Sequence, residues 1–350
     1  MTNFYRVPFS QGGNDVGIFS RGIAAMVAAI LPAIVAGSAI AQSGADFFKG
    51  KTVSYIVPTD AGGGYDTNGR LVAEFMQKHL PGSTFVVRNM PGAGHIIGAA
   101  YIYAAKPDGL TIGTFNTGLI YTQLAGVVGG RFDLANMDYI GKLASDPRAI
   151  IVSKKSGITS FEQLMTHEPR VRFASSGGGT ASTAETQMLI SSLNLPIDLV
   201  TGYEGNDALL ALRRGEVTGT LGARSSMEPF VKEGHGVMIA QIGGSQTDIP
   251  QLASLVDDNE AGARVTALVA SQGNLSRMTA GPKGIPADRL EALREAYQAA
   301  VTDPEFLARA NSMDLPIDPQ VGPAVGEAVV KALDQTPEMI EFLKATLKMD

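Results

Sequence analysis

Along this chain the apolar positions alternate between two spacings. Thr52–Val57 is a short run with β-branched residues and predicts a strand. From Asp66 to His79 the apolar residues Leu71, Phe75 and Met76 fall on one face at helical spacing, and Pro81-Gly82 ends the helix. Phe85–Arg88 predicts a second strand. A glycine loop at Pro91–Gly94 follows, then a small-residue helix over Ile96–Ala105. Lys106–Gly109 reads as a turn, and Leu110–Phe115 as a third strand. Three strand–helix units in series predict a parallel sheet covered on both faces.

A longer extended stretch spans Tyr139–Val152. Ser160 and Gln163 stand at capping-box spacing before a helix. Val171–Ser175 predicts a strand that ends in Ser-Gly-Gly-Gly-Thr180, with a helix over Ala181–Leu193. Ile197–Gly202, Glu216–Leu221 and Val237–Ile242 predict further strands, and Asp207–Arg214 a helix. Val265–Ser271 is apolar and rich in β-formers. Strong helical patterns close the chain at Ala287–Val301, after Asp303-Pro, and from Pro337. Two α/β sets, each with a strand–glycine–helix junction, predict two lobes facing one cleft. The expected division is 42–142 plus 265–350 for the first lobe and 143–264 for the second.

Composition narrows the function. The 350 residues are 45% hydrophobic and 18% charged, an ordinary globular balance. The formal charge of −6 and the lack of a Lys/Arg block argue against a nucleic-acid surface. There is no cysteine, which excludes disulfides, thiolate metal sites and a Cys nucleophile. Arg6 and Arg21 precede an apolar stretch, Ile23–Ala36, and Ala39 and Ala41 stand in the arrangement a signal peptidase reads. Residues 1–41 are therefore expected to be a signal peptide cleaved after Ala41, giving an exported, periplasmic protein. Its loss removes two Arg and one Asp, which takes the formal charge from −6 to −7. The alternative is an uncleaved membrane anchor.

The chemistry-bearing motifs are few. Gly62, Gly63 and Gly64 lie between a strand and a helix, where free N–H groups and the positive end of a helix dipole can hold an anion. Thr67 stands where a dinucleotide fingerprint needs its third glycine, and no Gly-Lys-Ser/Thr follows. Taken alone, the loop is either an anion nest or a bare turn. The second loop, Ser175–Thr180, favours the nest. Asp66 fits a helix-start cap better than a direct contact to an anion. His79, His95, His167 and His235 show no metal-ligand spacing, and His95 alone lies in a loop that could reach a cleft. Arg224 follows a strand and is read either as a bidentate carboxylate clamp or as a surface residue. Tyr203 and Asn206, at another strand–helix junction, are candidates for a cleft wall and a polar contact. No nucleophile, base and oxyanion hole assemble, so no catalytic residue, metal or cofactor is expected.

Three segments together resemble the Bug family, the extracytoplasmic solute receptors of tripartite tricarboxylate transporters. They are Pro58-Thr-Asp-Ala-Gly-Gly-Gly-Tyr-Asp66 with Arg70, Asn89-Met-Pro-Gly-Ala-Gly94 with Gly98, and Pro107-Asp-Gly-Leu-Thr111. Ser160–Leu164, Phe173–Gly177, Tyr203–Gly205 and Leu212–Val217 follow in the family's order. The resemblance implies a two-lobed, Venus-flytrap periplasmic binding protein of type II-like α/β fold. It would be a monomer that closes on a small carboxylate and delivers it to membrane permease subunits. It implies that the ligand carboxylate meets the loops at Ala61, Gly62, Gly63, Gly64 and Asp66 and at Ser175, Ser176, Gly177, Gly178 and Thr180, with Asn116 and Thr117 bordering. The family usually has Gly-Asn where His95-Ile96 stand, Arg where Met90 stands, and Pro where Gly202 stands. The rival readings are a secreted α/β enzyme with a nucleotide or acyl substrate, and a ligand-sensing module.

Overall fold

The computed structural model describes residues 44–347. The expected signal peptide and its cleavage after Ala41 lie outside the described residues. Eleven strands form two sheets within that span: β1 (Thr52–Val57), β2 (Thr84–Asn89), β3 (Thr111–Phe115), β4 (Met137–Ala144), β5 (Arg148–Ser153), β6 (Val171–Ala174), β7 (Ile197–Val200), β8 (Gly219–Ala223), β9 (Gly236–Ile242), β10 (Ser276–Pro282) and β11 (Gln320–Val321). The first sheet has the order β11-β4-β10-β3-β1-β2, and the second β7-β6-β8-β5-β9.

The expected strand–helix units are present, but neither sheet is purely parallel. β1 runs parallel to β2 and β3, as the serial units require. β10 returns from far along the chain and lies antiparallel between β3 and β4. In the second sheet β6 is parallel to β7 and β8, while β5 is antiparallel to β8 and β9. Local periodicity identifies a strand but carries no information about a partner that arrives more than a hundred residues later.

Alternation along β1 shows how one strand serves two faces. Val53, Tyr55 and Val57 enter one apolar core, and Ile56 enters the other. The first of these cores holds helices Gly64–His79, Ala287–Thr302 and Pro304–Ser312; the second holds Ile96–Tyr103, Gly118–Leu124 and Pro323–Leu333. The second sheet is covered likewise. Helices Phe161–Met165, Ala181–Leu193, Glu260–Gly273 and Pro337–Thr346 pack on one face, and Asp207–Arg214 with Arg224–Lys232 on the other.

Three expectations change here. Val265–Ser271, read as rich in β-formers, lies inside helix Glu260–Gly273, where Val265, Leu268 and Val269 recur at helical spacing in the core. The stretch Tyr139–Val152 is cut at Ser145–Pro147 into β4 and β5, which belong to different sheets. The expected division placed 265–350 wholly in the first lobe. Val265, Leu268, Val269 and Leu343 instead lie in the core under the second sheet. The capping box is realised in half: Ser160 Oγ accepts from Gln163 N–H, while the Gln163 side chain accepts from Thr159 N–H, one residue before the cap.

The chain therefore crosses between lobes at Ser145–Pro147, returns after Gly273, and crosses again between helices Pro323–Leu333 and Pro337–Thr346. The first two crossings lie side by side, with Asp146 N–H donating to Gly273 C=O at 3.0 Å.

Candidate functional site

A cleft with about 930 Å³ of empty space, part of it open to solvent, lies between the two sheets. The first lobe brings Gly63, Gly64, Tyr65, His95, Asn116 and Arg277 to it; the second brings Arg148, Ser175, Thr180, Tyr203, Glu204 and Asn206 among others.

The first wall is the start of helix Gly64–His79. Gly62 adopts φ 87°, which only glycine takes without strain, and Gly63 is the N-cap in extended conformation. The N–H groups at the first helical positions, Gly64 and Tyr65, have no carbonyl one turn back. The loop is fastened from behind by Asp66, whose buried carboxylate accepts from Gly62 N–H at 2.9 Å, Arg70 Nε at 2.9 Å and Asn89 Nδ2 at 2.8 Å. Burial opposes its ionisation, but the bonds from Arg70, Gly62 and Asn89 outweigh it and hold its pKa below the usual carboxylate value. Asp66, Ala61 and Gly62 stand outside the cleft lining.

The second wall is Ser175–Thr180 and the start of helix Ala181–Leu193. Thr180 is the N-cap, its Oγ1 accepting from Thr183 N–H. Thr183 Oγ1 lies within hydrogen-bond distance of Ser175 Oγ and the carbonyls of Ser176 and Gly177, which ties the loop to its helix. Gly177 N–H is already engaged: it donates to Glu204 Oε1 at 2.8 Å. Ser175, Ser176 and Thr180 line the cleft; Gly177 and Gly178 do not.

The lobes touch where their glycines meet. A Cβ on Gly94 would stand 2.4 Å from Gly178 C=O, and one on Gly118 would stand 2.4 Å from Ala181 N. A Cβ on Gly63 would approach Gly205 Cα at 3.4 Å, and one on Gly64 would approach Ser226 Oγ at 2.9 Å. Both loops are therefore close-approach surfaces between lobes. Asn116 lines the cleft and accepts from Gly118 N–H at 2.7 Å, while Thr117 lies buried behind it.

Arg224 is placed elsewhere. Its guanidinium grips a carboxylate in bidentate fashion, but the carboxylate is the protein's own Asp248, at 2.7 and 3.0 Å; Glu228 and Gln241 take its other donors. It does not line the cleft.

Two cleft arginines were missed. Arg148 donates through Nε to Glu185 at 2.6 Å, and Tyr121 O–H donates to the same carboxylate at 3.3 Å. Arg277 lies over the Tyr65 ring at 4.4 Å and reaches Asp146 at 3.3 Å. Each was visible only as a charge inside an apolar stretch, Arg148 before Ala-Ile-Ile-Val and Arg277 between Leu275-Ser276 and Met278. His95 does reach the cleft, at φ 75°, a left-handed conformation unusual for histidine. Burial lowers its pKa to about 4, and its Nδ1 has no partner among the described residues. Among the described residues no group of three or more His, Asp or Glu is placed to hold a metal ion.

Comparison with known proteins matches this architecture. A family model described as "Tripartite tricarboxylate transporter family receptor" matches residues 69–322. A UPF0065 protein of Agrobacterium vitis is 29% identical over 278 residues, covering 77% of this chain and 76% of the relative. A UPF0065 protein of Bordetella pertussis is 25% identical, covering 77% and 82%. Among solved structures, the periplasmic binding protein BugD superposes with a TM-score of 0.67 at 23% identity, covering 85% of this chain and 97% of that one. MatC of Rhodopseudomonas palustris with bound malate gives 0.67 at 20% identity, covering 85% and 99%. R. palustris Rpa4515 with adipate gives 0.68 at 19%, covering 85% and 98%.

Proposed function

Because the chain belongs to the tripartite tricarboxylate transporter receptor family, we propose that it is an exported receptor that closes its lobes on a small carboxylate and passes it to the transporter's membrane permease subunits. The observation that carries this reading is the cleft itself. Two helix starts face it, and the lobes meet around it at Gly63, Gly94 and Gly118. Malate and adipate, bound by structurally similar receptors, make mono-, di- and tricarboxylates the ligand class to test. The reading assigns the protein no chemistry: the Ser175 and Ser176 hydroxyls are engaged by Thr183 and the Tyr203 carbonyl. Export through cleavage after Ala41 completes it, and sequencing the N-terminus of the exported protein tests that step.

Magnitudes link binding to closure. Micromolar affinity is about 8 kcal/mol. Association and ordering cost at least ~4 kcal/mol. At roughly 1.5–3 kcal/mol per charge-assisted hydrogen bond, about four to eight such bonds are needed. One helix start offers up to about four free N–H groups. Full affinity therefore needs donors from both walls at once, which only the closed arrangement supplies. A thermal-shift screen of the exported protein against mono-, di- and tricarboxylates tests the reading. At least one is expected to raise the melting temperature; a flat response across the panel contradicts it.

A further inference from the structure

The two glycine loops offer fewer donors than their sequence suggests. Gly62 N–H is taken by Asp66, and Gly177 N–H by Glu204. Glu204 thereby sets one of the protein's own carboxylates on the second loop, where a ligand carboxylate would be repelled. On the first wall, open donors cluster around Arg277.

Strand β10 carries Arg277 at φ 61°, in the left-handed region that a long side chain rarely adopts. Its neighbours Ser276 and Met278 stay paired with Ala144 and Lys142 of β4, so the twist at one residue redirects one side chain without ending the strand. That side chain is only 4% exposed, lines the cleft and stacks on Tyr65. Among the described residues its five N–H donors meet one acceptor, Asp146 Oδ2, at 3.3 Å, and Nε is buried with no partner there. Asp146 is better satisfied by Ser225, whose hydroxyl donates to it at 2.6 Å. A buried guanidinium with unmet donors lacks an acceptor, and a carboxylate matches its fork. The start of helix Gly64–His79 is beside it: a Cβ on Gly64 would stand 3.3 Å from Arg277 Nη2.

We propose that Arg277, together with the N–H groups at Gly64 and Tyr65, holds the ligand's carboxylate, and that the second loop, occupied by Glu204, meets another part of the ligand. This rests on the receptor reading and makes Arg277 its specificity-determining residue. Asp146 lies in one crossing between lobes and Arg277 in β10 just past the adjacent one, so a carboxylate seated there sits at the base of the cleft, where closure pivots.

The test is calorimetric titration of the exported protein with mono-, di- and tricarboxylates, malate and adipate included, and with the amide of whichever acid binds. Glycine suits φ 61°, so Arg277→Gly removes the guanidinium while relieving the backbone. Arg277→Gly is expected to weaken acid binding on the order of a hundredfold, the worth of two charge-assisted bonds. It is also expected to abolish the preference for acid over amide, a readout that loss of the ion pair with Asp146 alone would not move. Tyr65→Leu, which removes the ring under the guanidinium, is expected to give a smaller loss of the same preference. Wild-type affinity and preference in Arg277→Gly would overturn the assignment and leave the receptor reading standing. A natural protein that binds no carboxylate would overturn both.

Discussion

At the residue scale, the cleft holds polar groups in conformations that cost energy. His95 is buried, left-handed and uncharged. Its proton is bound more weakly in the folded chain than in the unfolded one, so between the ordinary value near 6.5 and about 4 the unfolded state binds more protons. Stability from this group is whole above pH 6.5 and is lost as pH falls toward 4, on the order of 3 kcal/mol. Asparagine tolerates the left-handed region. Equilibrium denaturation across this range is expected to show a loss in the natural protein that His95→Asn largely abolishes; parallel profiles would contradict the buried, neutral histidine. Asp66 acts in a lower window. Its lowered pKa makes its contribution present above the ordinary carboxylate value near 3.8 and lost below it. Asp66→Ala removes three hydrogen bonds at a helix start and is expected to cost about 2 kcal/mol by denaturant titration. A cost within ~0.5 kcal/mol would show that the loop holds itself.

Some of these residue roles can be read from sequence and some cannot. Asp66 is legible as a first-turn acid rather than an N-cap, which is Gly63, because two of its three hydrogen-bond donors, Gly62 and Arg70, lie within four residues of it. Arg224 is legible only by half: a strand-end arginine invites a carboxylate, but nothing local reveals that Asp248 supplies one. Arg277 is illegible, because its meaning depends on Asp146 and Tyr65, which are distant in sequence. The glycine that the family resemblance implies at position 95 would point to the positive φ that His95 adopts.

At the scale of elements, strand–glycine–helix junctions were the readable part. A β-run, a glycine break and a helical face are all local features, and they placed both walls of the cleft. What failed was pairing and partnership. β10 enters the first sheet antiparallel, and helix Glu260–Gly273 looked β-rich because buried helices also use Val and Leu. The glycines also do more than donate. Gly118 is the first residue of helix Gly118–Leu124, where alanine is a better helix former. A methyl group there meets Ala181 N across the cleft. Gly118→Ala is expected to weaken carboxylate binding at least about tenfold, or ~1.4 kcal/mol. Unchanged affinity by titration calorimetry would show that this contact is not part of the bound state.

At the scale of the whole molecule, the two sheets are joined by adjacent crossings at Ser145–Pro147 and after Gly273, and the lobes meet around the cleft at Gly63, Gly94 and Gly118. The two-lobed plan was legible from two α/β sets with one glycine loop each. The assignment of the last helices was not, since Leu343 joins the second lobe's core from the far end of the chain. Binding and closure are coupled in this account because neither wall alone offers enough donors. Small-angle X-ray scattering of the exported protein, with and without a carboxylate that raises its melting temperature, tests that coupling most directly. The account predicts a smaller radius of gyration with the ligand, and no such change for Gly118→Ala at the same ligand concentration. An unchanged radius for the natural protein at saturating ligand would contradict it.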